Sequence, residues 1–153
     1  MKIREYRQAD QKVLFQLFYN TVHEINCRDY NEEQINTWAP VNIDLKAWNE
    51  SFLHHHSIVV EKDNEIVGFA DMDRNGYLDR LFVHKDYQGI GIATMLLENL
   101  ENYAKENGIL SCDTYASITA KPFFEKRGFI VERENIVKRE NVELINYKMS
   151  KKY

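Results

Sequence analysis

Residues 88–94 read QGIGIAT, and they stand where a strand-like run of the chain gives way to a helix-like run. The preceding residues 77–83, YLDRLFV, favour a strand, and from Ala93 onward apolar residues recur at helical spacing. The N-terminus of a helix carries unpaired backbone N–H groups and a partial positive charge, so it binds anions, phosphates above all. Gly89 and Gly91 let a ligand touch the backbone. The stretch therefore predicts a turn that can cradle a pyrophosphate.

Other glycine-rich phosphate motifs do not fit this position. A dinucleotide-binding fold places its glycine turn after the first strand of a parallel sheet, with an acidic residue about 20 positions later. Here the turn follows a run of antiparallel strands. A nucleotide P-loop requires Gly-Lys-Ser or Gly-Lys-Thr, and residues 91–94 read GIAT. A simple tight turn remains the alternative for the glycine pattern taken alone.

The N-terminal half alternates between strand and helix patterns. Residues 2–7 predict a strand, Asp10 can cap the helix that follows, and apolar residues recur at helical spacing over 14–25. Asn31 precedes a second short helix, and a third is predicted near 45–52.

Two polar turns, at 63–64 and 74–76, then separate three strands that we predict to be antiparallel. The later elements are a strand at 110–115, a helix at 119–127 and a hairpin of 129–137 with 142–149. The sum predicts an α+β fold, with a twisted, mostly antiparallel sheet of about six to seven strands flanked by helices.

Composition bounds the class of protein. The chain has 153 residues and 44% hydrophobic residues, enough for one packed core, so we predict a single domain over residues 1–153. Lys plus Arg number 20 against 24 Asp plus Glu, a net charge of -4 without a basic block, which argues against nucleic acid. No apolar run approaches the ~18 residues of a membrane span, so we expect a cytoplasmic protein without a membrane partner.

The cysteine and histidine spacings do not predict a metal site. Cys27 and Cys112 are far apart and lack a ligand spacing. Three consecutive side chains, His54, His55 and His56, cannot all face one ion on a regular element, so we interpret them as an exposed loop.

The motif resembles the acyl-CoA binding motif of the GNAT superfamily of N-acetyltransferases, which reads Gln or Arg, two variable residues, Gly, one variable residue, and Gly or Ala. Gln88, Gly91 and Ala93 match it in register. Residues 81–97 resemble the strand, loop and pyrophosphate helix of that family, and residues 116–129, ASITAKPFFEKRGF, resemble its later strand-to-helix segment. Residues 21–40, together with ASITAKPFFE, are similar to the bacterial YafP-like branch in particular.

The resemblance implies an acetyl-CoA-dependent N-acetyltransferase, which passes the acetyl group directly to a primary amine of a small molecule or peptide. The family's sheet splays open at the acyl-CoA slot, where the backbone of 81–83 pairs with the pantetheine arm and the amides of 88–94 hold the pyrophosphate. The N–H of Leu81 is then the candidate donor to the thioester carbonyl. A homodimer is common in the family. The implied cofactor-binding residues are Leu81, Phe82, Val83, Gln88, Gly89, Ile90, Gly91, Ile92, Ala93, Thr94, Ser117 and Phe124.

The proton donor for the departing thiolate is an open question. Many family members place a tyrosine just ahead of the Gly-Phe pair, and the matching residue here is Phe124, which cannot donate a proton. Tyr115 and Tyr147 are possible substitutes, unless the thiolate leaves with the help of water. Phe124 also keeps an alternative function open, a CoA-binding sensor or regulatory module without turnover.

Two residues are candidates for the general base. Strand alternation puts Tyr77, Asp79 and Leu81 on one face, close to where relatives carry a carboxylate, so Asp79 is the first candidate. A partly buried aspartate paired with Arg80 or with a backbone amide is the structural alternative. His23 is the second candidate, because it lies late in the first helix and its ordinary pKa suits proton transfer near neutrality. A surface or capping histidine is its alternative.

The resemblance also implies an acceptor pocket under the first helices. We predict His23, Tyr30, Trp38 and Tyr77 as acceptor-binding residues, with Phe52 nearby. Aromatic walls suit a partly apolar or flat amine, although Trp38 is equally compatible with the core. Lys126 and Arg127 complement the dipole at a helix end, and a contact with the CoA 3'-phosphate is the alternative.

Overall fold

The computed structural model describes residues 1–153 as one continuous sheet with helices on both faces. Seven strands, in the order β1-β2-β3-β4-β5-β7-β6, form the sheet, and every neighbouring pair is antiparallel except β4 with β5. The strands are β1 Lys2–Glu5, β2 His56–Lys62, β3 Glu65–Met72, β4 Tyr77–Val83, β5 Ser111–Ser117, β6 Ile130–Arg139 and β7 Val142–Lys152. The helices are α1 Gln11–Glu24, α2 Glu32–Trp38, α3 Leu45–Leu53, α4 Ile92–Glu106 and α5 Lys121–Lys126. The predicted mixed, mostly antiparallel fold is confirmed.

The sheet separates two apolar cores. One core lies between the sheet and α4 with α5, and Leu96, Leu97 and Leu100 of α4 are fully buried in it. The other lies under α1, α2 and α3 and contains Leu14, Phe52 and a run of aromatic rings. No helix combines the length and the hydropathy that crossing a membrane requires.

A cap predicted from the sequence is wrong. The side chain of Asp10 makes no capping bond to α1. It accepts the N–H of Arg7 at 2.8 Å, in the short turn before the helix, and pairs with Arg4 at 2.8 Å. A nearby arginine that the sequence pattern does not reveal therefore redirects this carboxylate.

Strands β4 and β5 pair over only two positions. Tyr77 lies opposite Asp113 and Leu78 opposite Thr114, and beyond these residues the strands diverge. The predicted splay of the sheet is therefore confirmed, and it leaves the C-terminal part of β4 without a neighbour on one side.

A β-bulge interrupts β4 and overturns the predicted alternation. Asp71 lies opposite Arg80, but Met72 lies opposite Leu78, so Asp79 is an extra residue in its strand. As a result Leu78 packs in the same core as Leu81 and Val83, which strict alternation would forbid. The prediction that Asp79 shares a face with Leu81 was wrong, because the bulge turns its carboxylate towards Asp71 and Arg80.

Gly68 allows α4 to pack closely on β3. A Cβ atom at this position would lie 2.7 Å from Ile92 Cγ2 and 3.3 Å from Leu96 Cδ1. We expect Gly68→Ala to lower the free energy of unfolding by about 1–3 kcal/mol, the usual effect of overpacking a filled core. Urea unfolding measures this difference. An unchanged midpoint would show that α4 does not sit as closely on the sheet as described.

Candidate active site

A cleft of about 1020 Å³ opens where β4 and β5 diverge. One end is lined by the glycine turn and the first residues of α4, and the other end by aromatic side chains of α1, α2 and α3. The predicted site residues that line it are Asp79, Tyr115, Leu81, Phe82, Val83, Gln88, Gly89, Gly91, Ile92, Ala93, Thr94, Ser117, Phe124, Tyr30, Trp38 and Tyr77.

The glycine turn has the shape that its sequence predicts. Gly89 and Gly91 have φ values of 73° and 93°, and Gly91 is the residue before the first turn of α4. A Cβ atom built on either glycine meets no heavy atom within 4 Å, so the protein itself does not fill the space above the turn. The side chain of Gln88 secures the turn by donating to the carbonyl oxygens of Val83, at 2.8 Å, and His84, at 3.3 Å. Ile90 is about half exposed and does not line the cleft.

A fixed cation lies beside the first turn of α4. The guanidinium of Arg127 donates to the hydroxyl of Thr94 and lies 4.2 Å from the centre of the Phe123 ring. Arg127 lines the cleft, whereas its neighbour Lys126 is exposed and does not. The predicted contact of Arg127 with the CoA 3'-phosphate therefore stays a prediction for a residue that lines the cleft, whereas the dipole interpretation fits Lys126.

The free edge of β4 offers backbone groups to the cleft. The N–H of His84 bonds to Val67 O at 2.8 Å, and since such bonds alternate along an antiparallel pair, the backbone of Phe82 faces β3. Phe82 therefore contributes its ring to the cleft, and the implied backbone contact at this residue is not available. The backbone N–H and C=O groups of Leu81 and Val83 face the gap, although the carbonyl oxygen of Val83 already accepts a hydrogen bond from the hydroxyl of Thr21 at 2.9 Å.

Asp79 lies in the cleft on the bulge of β4. Its side chain is 35% exposed, and its Oδ2 is 3.7 Å from the nearest guanidinium nitrogen of Arg80, beyond hydrogen-bonding distance. Arg80 instead donates to Asp71, at 3.1 and 2.5 Å. The pKa of Asp79 is raised, because the carboxyl is partly buried and Asp71 lies nearby. The predicted pairing with Arg80 is thus loose, and Asp79 is left able to accept a proton.

His23 is not in the cleft. Its Nε2 lies 2.8 Å from the carbonyl oxygen of Ala39, and its ring stacks on Tyr19 with centroids 4.0 Å apart. The face of α1 that lines the cleft carries Thr21, and His23 lies about 200° around the helix from it. The structure therefore does not support His23 as base or as acceptor-binding residue.

Two tyrosines differ in their access to the cleft. Tyr115 lines it, is 36% exposed, and has its hydroxyl oxygen 3.4 Å from a guanidinium nitrogen of Arg133. Tyr147 does not line it and lies under the ammonium of Lys121. Phe124 is buried against Phe129 and supplies only an apolar surface to the cleft. Of the two substitutes for a tyrosine at 124, only Tyr115 lines this space.

The acceptor end of the cleft is aromatic. Trp38 lies between Phe18 and Phe82, with ring centroids 6.5 and 6.3 Å away, and forms part of both the wall and the core. Tyr30 lines the cleft through its ring alone, because its hydroxyl donates to Ile145 O at 2.6 Å and accepts from a backbone amide. Phe52 is fully buried and does not reach the cleft.

Tyr77 and Ser117 complete the predicted residues of the lining. The ring of Tyr77 lies 6.2 Å from that of Tyr115, and burial together with the Asp79 charge raises the pKa of Tyr77 to about 12. The hydroxyl of Ser117 accepts the N–H of Ala120 at 3.0 Å, just before α5.

The three consecutive histidines are not the exposed loop that we predicted. His54 follows α3 and is exposed, His56 begins β2, and each ring contacts a different partner. Nδ1 of His55 lies 2.8 Å from Asp71 Oδ2. Both oxygens of Asp71 are engaged by Arg80 or His55. The Arg80 guanidinium therefore lies where a metal ion bound to this carboxylate would have to lie.

Residues 26–151 match the family model for an acetyltransferase (GNAT) domain, which covers most of the chain. The chain therefore belongs to the GNAT family of N-acetyltransferases. It is 33% identical over 149 residues to the uncharacterized N-acetyltransferase YafP of Escherichia coli K12, covering 97% of this chain and 94% of YafP, which confirms the resemblance to that branch.

Solved structures agree with this assignment. A GCN5-related N-acetyltransferase from Rhodopseudomonas palustris superposes with a TM-score of 0.95 at 30% identity, over 99% of this chain and 95% of that one. The PaiA N-acetyltransferase of Thermoplasma acidophilum, solved with coenzyme A, superposes with a TM-score of 0.82 at 22% identity, over 99% and 98%. The second likeness supports the fold alone.

Proposed function

We propose that the protein transfers the acetyl group of acetyl-CoA directly to a primary amine of a small molecule or peptide, with Asp79 as the proton acceptor. The observation that carries this proposal is a single cleft with a glycine turn at a helix N-terminus at one end and an incompletely paired carboxylate on its wall. Proximity of the two reactants in one cleft is itself a large part of such catalysis.

The residues of the cleft fit a CoA ester. Open space lies above Gly89 and Gly91, as a pyrophosphate requires, and Arg127 adds a positive charge beside the helix N-terminus. The N–H groups of Leu81 and Val83 face the gap, where an amide-bearing arm can pair with them as a further strand would. Acetyl-CoA supplies a thioester carbonyl carbon that an amine can attack. The chain's part is to hold and orient it, with the N–H of Leu81 as the donor to its carbonyl oxygen.

Asp79 suits the removal of a proton from the acceptor ammonium. A carboxylate with a raised pKa is a stronger base than an ordinary surface aspartate, and partial exposure to the cleft lets an amine approach it. The hydroxyl of Tyr115 is the proposed proton source for the departing thiolate. The aromatic wall around Trp38 favours an amine with a flat or partly apolar body.

Isothermal titration of acetyl-CoA, followed by an amine panel with detection of free CoA thiol, tests the proposal. Acetyl-CoA binding and amine-dependent thiol release are the expected results. Failure of acetyl-CoA to bind would overturn the proposal.

A second candidate function is favoured by one observation. The position where many relatives place a tyrosine holds Phe124, which is buried and cannot protonate a thiolate. Tight acetyl-CoA binding without thiol release over a broad amine panel would favour a CoA-binding sensor or regulatory module.

Arg127 provides a separate test of the phosphate end of the cleft. We expect Arg127→Gln to weaken acetyl-CoA binding about tenfold, because a charge-assisted bond to a phosphate contributes about 1.5 kcal/mol or more. Lys126→Gln is the matched control, since it removes the same charge one residue away and outside the cleft. Isothermal titration measures both. Equal affinities of the two variants would remove Arg127 from the phosphate site.

A further inference from the structure

A buried network of charged side chains lies directly behind Asp79. The side chain of Asp71 on β3 is completely buried, and its carboxylate receives three contacts. Arg80 donates to it through Nε at 3.1 Å and through a terminal nitrogen at 2.5 Å, and Nδ1 of His55 lies 2.8 Å from Oδ2. His55 comes from the connection between α3 and β2, so three separate segments meet at this carboxylate.

Arg80 links the network to Asp79. Its guanidinium carbon lies 3.9 Å from the centre of the Phe52 ring and 5.0 Å from that of Trp48, so two aromatic rings fix its plane. The terminal nitrogen that bonds to Asp71 is also the one that lies 3.7 Å from Asp79 Oδ2. The bulge in β4 creates this arrangement, because it places Asp79 and Arg80 on the same side of the strand.

The charges of this network do not balance when His55 is neutral. Asp71 and Asp79 carry two negative charges against the single positive charge of Arg80, and the ligand atoms of His55, Asp71 and Asp79 all lie within 4.8 Å of one another. A proton on His55 brings the sum to zero. Since opposite charge favours an ionised carboxylate, the protonated form of His55 holds Asp79 in its anionic form.

We propose that His55 is a positioning residue for the acetyl transfer, which acts on Asp79 through Asp71 and Arg80 and keeps the base ionised as the pH falls. This inference rests on the proposed role of Asp79. His55 itself is mostly enclosed and does not line the cleft, so it touches neither reactant. His55 thus affects the reaction only by helping to orient the Asp79 carboxylate and to set its charge.

Other titratable groups near Asp79 also influence its protonation. They come from the end of β3 and the turn after it, from β4, and from β5 where it pairs with β4. Asp71, Asp73, Tyr77 and Arg80 are the neighbours of Asp79 itself, and Asp113 and Tyr115 are neighbours of Tyr77. The hydrogen bond to Asp71 raises the pKa of His55, so this ring takes up its proton at a higher pH than an ordinary histidine does.

The first test replaces the titrating group and keeps a donor. His55→Asn retains an N–H close to Asp71 but has no charge at any pH, and His54→Asn is the matched control at an exposed neighbour outside the network. Titration of ¹³C-labelled aspartate carboxyls by NMR reports Asp79 directly and needs no turnover. We expect the Asp79 midpoint to move to higher pH by about half a unit or more in His55→Asn, as removal of a nearby unit charge requires. The acid limb of kcat/KM should move with it, and His54→Asn should match wild type.

The second test measures the same coupling from the other side. Linkage is reciprocal, so Asp79→Asn must lower the midpoint of the His55 ring by the same amount. Asp79 is partly exposed, so this variant answers the question even where His55→Asn fails to fold. An Asp79 midpoint that is unchanged in His55→Asn, or a His55 midpoint unchanged in Asp79→Asn, overturns the proposal. Coupled midpoints without turnover on any amine would retain the network and overturn the proposed function alone.

Discussion

Gly91→Glu is expected to weaken acetyl-CoA binding more than about 100-fold, because it places a negative charge and bulk where a negatively charged pyrophosphate would lie. The residue has a φ of 93° and stands directly before α4, so its side chain would project at the helix N-terminus. Apart from the two residues next to it in the chain, no residue has a heavy atom within 4 Å of the added Cβ, and the fold should therefore tolerate the substitution apart from backbone strain. Isothermal titration measures the affinity.

Gly108→Glu is the matched control for that experiment. Gly108 also has a positive φ, of 71°, also has open space at its Cβ, and lies just past the opposite end of the same helix. The two variants share the charge change and the backbone strain, and they differ in their distance from the cleft. If both variants lose affinity equally, or neither does, the glycine turn is not the pyrophosphate site.

Asp79→Asn is expected to lower kcat by about 10²- to 10⁴-fold, the range that a general base contributes, and to leave acetyl-CoA binding nearly unchanged. The amide keeps the size of the side chain but cannot accept the proton of the acceptor ammonium. The wild-type rate should fall as the pH drops through the raised pKa of Asp79, because only the ionised form is a base. This acid limb should be absent from the variant, which a pH profile of kcat/KM measures.

Asp113→Asn controls for the loss of an aspartate close to the pairing of β4 with β5. Asp113 lies on β5 opposite Tyr77, and partial burial raises its pKa as well, but it does not line the cleft. Its variant should keep both the rate and the acid limb. A pH profile of Asp79→Asn that matches wild type would show that another group is the base.

The sequence was sufficient where a local pattern has one physical solution. The two glycines of QGIGIAT require positive φ values before a helix, and the structure has them. The order of strands and helices follows from alternation, helical spacing and turn residues, all of which act between near neighbours in the chain. The helix that contains Pro122 is shorter than predicted, at Lys121–Lys126.

The sequence was insufficient where contacts join distant segments. Nothing in YLDRLFV reveals the bulge at Asp79, which depends on pairing with β3. The same is true of the Phe82 backbone, whose direction is fixed by the register with β3, and of His23, whose ring is held by Ala39. A count of the helical angle from Thr21 could have placed His23 away from the cleft, but only once Thr21 was known to face it.

The two-position junction between β4 and β5 also has a mechanical meaning. It divides the sheet into a plate of β1 to β4 and a plate of β5, β7 and β6, joined along a seam at Tyr77 and Leu78. A molecule that laid its amides along Leu81 and Val83 would lengthen this seam and stiffen the joint between the plates. A reactant bound there would thus hold the two parts of the sheet together for as long as it stays bound, and the joint would loosen again when the product departs.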